Sequence, residues 1–426
     1  MDITVGKKLP YHSDWQKIEK RWKFWEASVK VNEEYVDSKD SRGYPIIKQW
    51  DCESRRNYKN RLTRTSPRNY IANIINLYNG SVFRNEPERD AALSDFIEDA
   101  DGRGSSLNTI MSTTLVNTLV YGFSLTLLEN NIGGSLSVAQ AKLNNEQPRV
   151  VNIDPWSLIN WKILDGFLLE ALITFVDEDG TPFARYYNRD TVTDIFFNEK
   201  GVITSVGEEL PHGFTDIPLA LSRLSILSNS FVEPLAQTQM HINNLLSLLG
   251  TELYSQTYTR WLISGMDGIS QMTKEEREQL TIELGSNELL IVPEQVNVSR
   301  MSSDVSQSAA IRDTIKEDTD ELNKAASLGE AVSTDSSGEA RALARVNFKT
   351  TASLMSSCIE SAENYIIRLI GEITSRDYEQ SFYSRQYEEP DYTQDVLELR
   401  DLLSLDISQE IKEKAIEQFS LTYFTT

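Results

Sequence analysis

The side chains able to do acid–base or nucleophilic chemistry are sparse and scattered in this sequence. Its three histidines, His12, His212 and His241, lie far apart, and His241 falls in a predicted helix, where a surface or interface position is expected. No HExxH, nucleophile-elbow, GxGxxG or Walker A pattern occurs. The chain has 64 acidic residues, so neighbouring carboxylates arise by chance, whereas a two-metal site needs carboxylates that converge on one cleft. We therefore expect no enzyme, and no catalytic, cofactor-binding or metal-binding residues.

Two other features that look like chemical motifs are expected to be structural. Segment 99–106, DADGRGSS, superficially suggests a calcium or phosphate loop, but it lacks the spaced acids and final Glu of a calcium hand and the ending of a P-loop. We expect a plain connector. The two cysteines, Cys52 and Cys358, form no motif, and Cys358 falls near the apolar face of a long helix, as a small core residue would.

The charge of the chain is large, negative and unevenly distributed. The 426 residues carry a formal net charge of −22, which argues against tight, non-specific wrapping of nucleic acid, because wrapping needs many Lys and Arg on phosphates. Residues 1–68 hold 16 Lys and Arg against 10 Asp and Glu, so we expect this segment and the acidic body to present opposite potentials. The sequence has no signal peptide pattern and no apolar run of about 18 residues, so we expect cytoplasmic assembly and no membrane partner.

The N-terminal part combines tryptophan with basic residues. IEKRWKFWEA predicts a short basic helix with aromatic faces. Such residues mark either a contact surface or a segment anchored to its own core, and the pattern leaves both open. The contact-surface alternative comprises Trp15, Trp22, Trp25, Arg55, Arg56 and Arg61. Cys52–Asn79 predicts a long helical stretch that Pro67 kinks or interrupts and Gly80 ends.

Hydrophobic periodicity then predicts two helices followed by a β region. Ala91–Asp99 and Leu107–Leu119 are expected helices, and Val120–Leu128 either continues the second helix or turns into a strand. From about 150 to 206 the pattern changes to short apolar and β-branched runs separated by EDG, NRD and NEKG turns. These runs predict an antiparallel meander.

Two helical segments around a small insert organise the second half of the chain. Phe231–Leu262 and about Ser308–Leu328 carry apolar stripes at helical spacing, and the insert between them predicts a short helix and two strands. The polar loop GEAVSTDSSG then precedes a helix from about Glu339 to Arg376, roughly 55 Å long. Apolar residues from Leu343 to Ile373 step mostly by three or four along one face of this helix, so it needs a partner inside the subunit or across an interface. Beyond it, SFYSRQYEEPDY predicts a linker, and two last helices close the chain. The predicted fold class is α+β, mainly helical.

The order of these segments resembles the portal proteins of tailed bacteriophages, in particular the DUF4055 portal family. Each stretch alone is a weak match, and the resemblance lies in their colinear order over about residues 12–375. The stretches are WQKIEKRWKFWEAS, NYKNRLTRTSPRNYIANIINLYNGSVFRNEP, DADGRGSSLNTIMSTTLVNTLVYGFSLTLLEN, NIDPWSLINWKI, LGSNELLIVPEQVNVSRM and SSGEARALARVNFKTTASLMSSCIESAENYIIRLI.

The resemblance implies a portal fold with wing, stem, clip and crown regions around a central channel. The wing would combine residues 1–230 with a long kinked helix, 339–376. The remaining regions would be the first stem helix 231–261, the clip 262–307, the second stem helix 308–328, the tunnel loop 329–338 and a crown-like end 377–426.

The implied function is structural. Portal proteins form a closed ring, usually of about twelve subunits, at one capsid vertex. Double-stranded DNA passes through the ring without sequence specificity during packaging and ejection. The implied partners are the terminase large subunit, the head–tail adaptor and the major capsid or scaffolding protein, with the virion as the final location after assembly in the host cytoplasm. The terminase supplies ATP hydrolysis, which agrees with the missing Walker A pattern, and no cofactor is expected.

Two further sets of residues are expected to meet these partners. The tunnel loop lacks Lys and Arg, so we expect it to touch DNA without holding it through Glu330, Ser333, Thr334, Asp335, Ser336 and Ser337. The clip is expected to contact the terminase and the adaptor through Met272, Lys274, Glu275, Arg277, Glu288, Gln295 and Arg300.

Two alternatives stay open. One is a non-portal ring or adaptor protein of a virion, and the other is a cytosolic helical scaffold that binds protein only. Closed high-order oligomers would separate the first two functions from the third. Binding to a packaging ATPase would separate a portal from an adaptor.

Overall fold

The computed structural model combines eight α-helices with three β-sheets in the part of the chain that it describes, which confirms the predicted α+β class. The structure describes residues 1, 3–51, 53–130, 147–177, 179–224, 230–257, 260–264, 273–275, 289–292, 297–301, 305–328, 338–385, 387, 400, 412 and 414.

Five helices build the N-terminal part: α1 (Trp15–Lys30), α2 (Arg55–Arg64), α3 (Ile71–Val82), α4 (Ser94–Glu98) and α5 (Leu107–Tyr121). The prediction that Pro67 kinks or interrupts the helical stretch over Cys52–Asn79 is confirmed, because a non-helical segment around Pro67 separates α2 from α3 and proline disfavours helix in the residue before it. The prediction that Gly80 ends the helix is wrong. Helix α3 continues for two residues to the buried Val82, since an internal glycine costs a helix only about 1 kcal/mol.

A three-stranded sheet follows α5. Gly122, at φ 89°, ends the helix and turns the chain into β1 (Phe123–Glu129), which settles the alternative left open for this segment. Strand β1 lies between β2 (Arg149–Ile153) and β9 (Leu219–Arg223), antiparallel to both. The prediction that the first apolar run after residue 150 belongs to the meander is therefore wrong, because this run forms β2 of the three-stranded sheet. Because β1 is buried on both faces, its backbone groups need a strand along each edge.

The meander itself is confirmed. Strands β3 (Leu158–Leu164), β4 (Phe167–Val176), β5 (Pro182–Tyr187), β6 (Thr191–Phe197) and β7 (Ile203–Val206) pair antiparallel in sequence order, and the short β8 (Leu210–Pro211) pairs with β6. Asp165 and Gly166 join β3 to β4, both at positive φ, as a two-residue hairpin turn requires.

The second half contains two antiparallel helices and a small mixed sheet. The helices are α6 (Val232–Thr257) and α7 (Val305–Ala325), and the sheet between them in sequence consists of β10 (Arg260–Ser264), β11 (Leu289–Val292) and β12 (Asn297–Met301). Strand β10 is parallel to β11 and antiparallel to β12. The expected strands are confirmed, but the helix expected to run through Leu262 ends at Thr257. Trp261 therefore lies in a strand, where aromatic and β-branched residues are favoured.

The long helix α8 (Gly338–Thr374) packs inside the subunit against α3, α5 and β9. Its predicted apolar stripe is confirmed, with at most 2% of each of the following side chains exposed: Ala352, Met355, Ile359, Ala362, Ile366 and Ile370. Where the chain is described, no helix is long and apolar enough to cross a membrane.

The segment after α8 is not the linker that its composition suggested. Phe382 forms a backbone bridge with Glu88, and Ser381 and Tyr383 are buried against α8. Acidic and aromatic composition was misleading because successive residues of this extended segment face opposite sides: Ser381 and Tyr383 are buried, whereas Phe382 between them is 51% exposed. The two last helices expected beyond it lie almost wholly outside the described residues.

Candidate functional site

Helices α6 and α7 form an antiparallel pair, called here the hairpin. Leu322 on α7 and Ala326 just after its end are fully buried, and Ile315 is partly buried on the same side. On the surface of the pair, the His241 Nδ1 lies 2.7 Å from an Asp318 carboxylate oxygen. The expectation that His241 is a surface helix residue is confirmed, since it is exposed on α6. The hairpin leads to the small sheet at the end where α6 stops and α7 begins.

The first half of α6 is held by buried polar side chains, called here the polar seam: Gln239, Asn243, Asn244 and Ser247. Gln239 accepts hydrogen bonds from the backbone N–H groups of Tyr70 and Ile71 and donates to the Ser28 carbonyl at 2.7 Å. Asn243 accepts from the Arg68 N–H at 2.8 Å and donates to the Tyr35 hydroxyl at 3.2 Å.

The remaining two members of the polar seam hold the segments around α2. Asn244 accepts from the Lys48 N–H at 2.8 Å and donates to the Ile46 carbonyl at 2.7 Å. Ser247 accepts from an Arg61 guanidinium nitrogen at 2.9 Å. Non-helical backbone around residues 46–48 and 65–71 would otherwise bury unpaired N–H and C=O groups against α6. The polar seam supplies their partners and so fixes where the hairpin starts.

Arg61 completes this arrangement as a buried cation. Only 2% of Arg61 is exposed, and its guanidinium donates to both carboxylate oxygens of Glu53 at 2.8 and 2.7 Å and to the Lys48 carbonyl at 2.6 Å. These hydrogen bonds from Arg61 lower the pKa of Glu53 below its usual range. The prediction that Arg61 belongs to a contact surface is therefore wrong. Its guanidinium is buried and binds Glu53 and Ser247, and so fixes α2 to α6.

The tryptophans of α1 also belong to the core of the subunit. Trp22 and Trp25 are 2% and 4% exposed, and Trp15 packs against Trp22 with ring centroids 5.8 Å apart. Trp22 also meets Trp156 edge-on at 5.6 Å and lies parallel to Trp161 at 6.3 Å. The contact-surface alternative is wrong for Trp22 and Trp25, because these rings join α1 to the sheets. The exposed Arg55 and Arg56 stay a predicted contact surface.

Few of the residues expected to meet partners can be placed. Lys274 and Glu275 are exposed and helical, and the backbone of Arg300 pairs with Trp261 in the small sheet. The other clip residues, Met272, Arg277, Glu288 and Gln295, lie outside the described residues. So do the tunnel-loop residues Glu330, Ser333, Thr334, Asp335, Ser336 and Ser337.

The segments with apparent chemical motifs serve the fold. In the loop 99–106, Asp101 accepts from the backbone N–H groups of Arg103 and Ser105, and Asp99 accepts from Gly104. These carboxylates organise their own loop, as a connector would. Across the described residues, no group of three His, Cys, Asp or Glu side chains could hold a metal ion. Burial raises the pKa of the Cys358 thiol, which lies 3.1 Å from the Ser222 hydroxyl and so behaves as a packed core group.

A buried ion pair that sequence patterns did not reveal joins the segment after α8 to the body. Arg89 donates to the two carboxylate oxygens of Glu363 at 2.6 and 2.9 Å, and Glu363 is fully buried. The same carboxylate accepts from the hydroxyls of Ser381 and Tyr383 at 2.5 and 2.6 Å. The sequence offered one signal of this pair, a Glu within the apolar stretch of α8. A carboxylate buried at such a position requires a charged or hydrogen-bonding partner.

Comparisons with known proteins give no family match. No family model and no curated protein matches the chain. Among solved structures, one similar chain comes from the neck of the native gene transfer agent (GTA) particle, in a structure computed with C12 symmetry. It is 10% identical with a TM-score of 0.43, and the match covers 80% of this chain and 87% of that one. A chain from the virion of the native gene transfer agent particle is 11% identical with a TM-score of 0.45, over 81% and 88%. A chain from the neck of the empty particle computed with C6 symmetry is 11% identical with a TM-score of 0.44, over 81% and 88%.

Proposed function

We propose that this chain is the subunit of a portal ring, a structural conduit for double-stranded DNA at one vertex of a phage-like capsid. The observation that carries the proposal is the order α6, small sheet, α7, residues 329–337 and α8, with α6 fixed to the N-terminal helices by the polar seam. A portal needs this arrangement, because a helical pair must project from a firm body and present an insert at its end. The sequence resemblance over residues 12–375 supports the same order.

Under this proposal each part of the chain has a mechanical role. Helices α6 and α7 form the stem, at 232–257 and 305–325 instead of the bounds expected from sequence. The small sheet belongs to the clip, and residues 329–337 form the tunnel loop. Residues 1–230 and α8 form the wing, and the chain beyond 376 forms the crown.

The charge of α6 suits a passage that must not hold DNA. Its 26 residues include Glu233 and Glu252 but no Lys or Arg. Each phosphate held by a cation would be a barrier to movement, since its release requires counterions to return. The tunnel loop likewise has no cation. Helix α6 and the loop therefore guide the duplex without binding it tightly, and the energy for movement comes from a separate packaging ATPase.

The clip is the proposed docking site for the terminase large subunit and, after packaging, for the head–tail adaptor. Its exposed Lys274 and Glu275 are available for polar contacts. The wing is the proposed contact for the major capsid or scaffolding protein. The ring is assembled in the host cytoplasm and retained in the virion.

Assembly and packaging test the proposal separately. Purified protein should form rings with a central hole in electron micrographs and a mass near twelve copies of 48.4 kDa, about 580 kDa. Replacing residues 260–301 with a short Gly/Ser linker should preserve the rings, because the ends of α6 and α7 lie side by side, but should abolish DNA packaging. A Gly/Ser insertion at the exposed turn of Asp179 and Gly180 is the control and should leave rings intact. A chain that stays monomeric at high concentration would overturn the proposal, and packaging without residues 260–301 would overturn the clip assignment.

A further inference from the structure

Helix α2 presents a cationic face of Arg55, Arg56 and Lys59. All three side chains are exposed, and none has an ion-pair partner among the described residues. The other two cations of α2 point the opposite way: Arg61 binds Ser247 of α6, and the Arg64 guanidinium lies 3.7 Å from the Tyr254 ring centroid. Helix α2 contains no acidic residue, so nothing on the helix itself offsets the cationic face.

Helix α7 presents an acidic face of Asp313, Glu317, Asp320 and Glu321. The four carboxylates are exposed. Asp313, Glu317 and Asp320 follow at intervals of four and three residues and Glu321 is next to Asp320, so all four lie on the side of α7 turned away from α6. Lys324 lies among them and Lys316 lies beside them, and the face keeps a net negative charge. The fifth carboxylate, Asp318, faces α6 and pairs with His241.

The two charged faces lie on opposite flanks of α6. Ser247 and Tyr254, which contact α2, are seven residues apart and share one side of α6. His241, which contacts α7, lies roughly 120° to 140° around the helix from them at about 100° per residue. The three helices therefore form a layer with α6 in the middle, the cationic face at one outer edge and the acidic face at the other.

We infer that the cationic face of α2 in one copy packs against the acidic face of α7 in the next copy. This inference rests on the proposed ring. A head-to-tail contact joins two different surfaces of the same chain, and it generates a ring when the rotation from one copy to the next closes. The two outer edges of this layer are different surfaces that carry opposite charge, and such complementarity fixes register and disfavours wrong pairings.

A second copy fits the cationic face better than nucleic acid does. Tight binding of a duplex needs many phosphate contacts, whereas this face offers three cations on a chain of net charge −22. The acidic face supplies a complementary partner on every copy of the chain.

The test is a charge-reversal cycle read by mass photometry and electron microscopy. Arg55→Glu/Arg56→Glu/Lys59→Glu and, separately, Asp313→Lys/Glu317→Lys/Asp320→Lys should each raise the concentration needed for assembly by about tenfold or more, because like charges then face each other. The variant that combines all six changes should assemble like the wild type. Lys17→Glu/Lys20→Glu/Lys23→Glu, the same reversal on the exposed side of α1, is the matched control and should leave assembly unchanged. Tryptophan fluorescence checks that each variant is folded.

The outcomes separate the inference from the proposed function. Wild-type rings that persist through both single reversals would overturn the inference and leave the portal proposal standing. Two disrupted single reversals with no recovery in the combined variant would also overturn the inference. Rings that persist while the α2 reversal abolishes binding to a double-stranded DNA probe would assign the face to nucleic acid instead. Wild-type protein that never assembles would overturn the proposed ring itself.

Discussion

The buried pair of Arg89 and Glu363 gives the sharpest stability prediction. Arg89→Met removes a guanidinium whose side chain is 5% exposed and leaves the fully buried Glu363 carboxylate with two hydroxyl donors and no positive charge. Removing one partner of a buried ion pair typically costs about 3–5 kcal/mol, because the remaining charge is neither solvated nor paired. We expect a loss of that size in the free energy of unfolding, measured by urea titration with tryptophan fluorescence at fixed protein concentration.

A double-mutant cycle isolates the charge interaction from lost packing. Glu363→Gln keeps an amide oxygen that accepts from Tyr383 or Ser381 but leaves Arg89 buried without its carboxylate. Combining Arg89→Met with Glu363→Gln removes both charges, so the double variant should lose about 2–3 kcal/mol less than the sum of the single losses. Amide hydrogen exchange should also rise at Ser381 and Tyr383 in Arg89→Met, since the carboxylate anchors their segment.

The matched control is Arg368→Met on α8. Arg368 pairs with Glu372 one turn away at 2.7 Å, but its side chain is 47% exposed. Water already solvates this pair, so its loss should cost less than about 1 kcal/mol. Strictly additive losses for Arg89 and Glu363, or equal losses for Arg89→Met and Arg368→Met, would refute the reasoning from burial.

Two further predictions concern the base of the hairpin. Pairing with Arg61 lowers the pKa of Glu53 in the fold, so its contribution is present at neutral pH and is lost as pH falls through that lowered pKa, below the usual value of about 4.3. Glu53→Gln should therefore lower the unfolding free energy by roughly 1–3 kcal/mol at pH 7, and this difference should shrink progressively as pH falls below the usual value. A difference that stays constant down to the lowest pH at which the protein remains folded would contradict the assignment. Asn243→Leu removes the acceptor of the Arg68 N–H and one partner of the buried Tyr35 hydroxyl, and should cost about 1–3 kcal/mol in urea unfolding. Gln237→Leu, at an exposed site on the same helix, is the control and should change stability by less than about 0.5 kcal/mol.

Sequence patterns predicted those helices, strands and turns that are determined by residues close together in the sequence. The stripe from Ala352 to Ile370 identified the buried face of α8, because burial of one helix face follows directly from spacing near 3.6 residues. Turn residues such as Gly180 of EDG and Gly201 of NEKG, both at positive φ, similarly marked the meander, since their backbone conformation depends on the residues at the turn itself.

Sequence patterns did not predict contacts that depend on residues elsewhere in the chain. Spacing predicted the apolar stripe of α6, but no pattern indicated that Gln239 on the same helix would bind the backbone of Tyr70 and Ile71. The residues of β2 continue the short apolar runs that predicted the meander. The strand nevertheless pairs with β1, because each edge of the buried β1 needs a hydrogen-bonded neighbour. In each case the structure depends on a hydrogen bond to a backbone group that is distant in sequence. The spacing of residues within one segment carries no information about such a group.

The same distinction explains how α6 could serve as a stem. Its first half, from Gln239 to Ser247, is fixed by side-chain hydrogen bonds to non-helical backbone, and these bonds specify position in a way that apolar contacts do not. Beyond Ser247, the Arg64 guanidinium of α2 lies 3.7 Å from the centroid of the Tyr254 ring. Under the proposed ring, the hydrogen bonds of the polar seam therefore set the direction in which the hairpin leaves the wing.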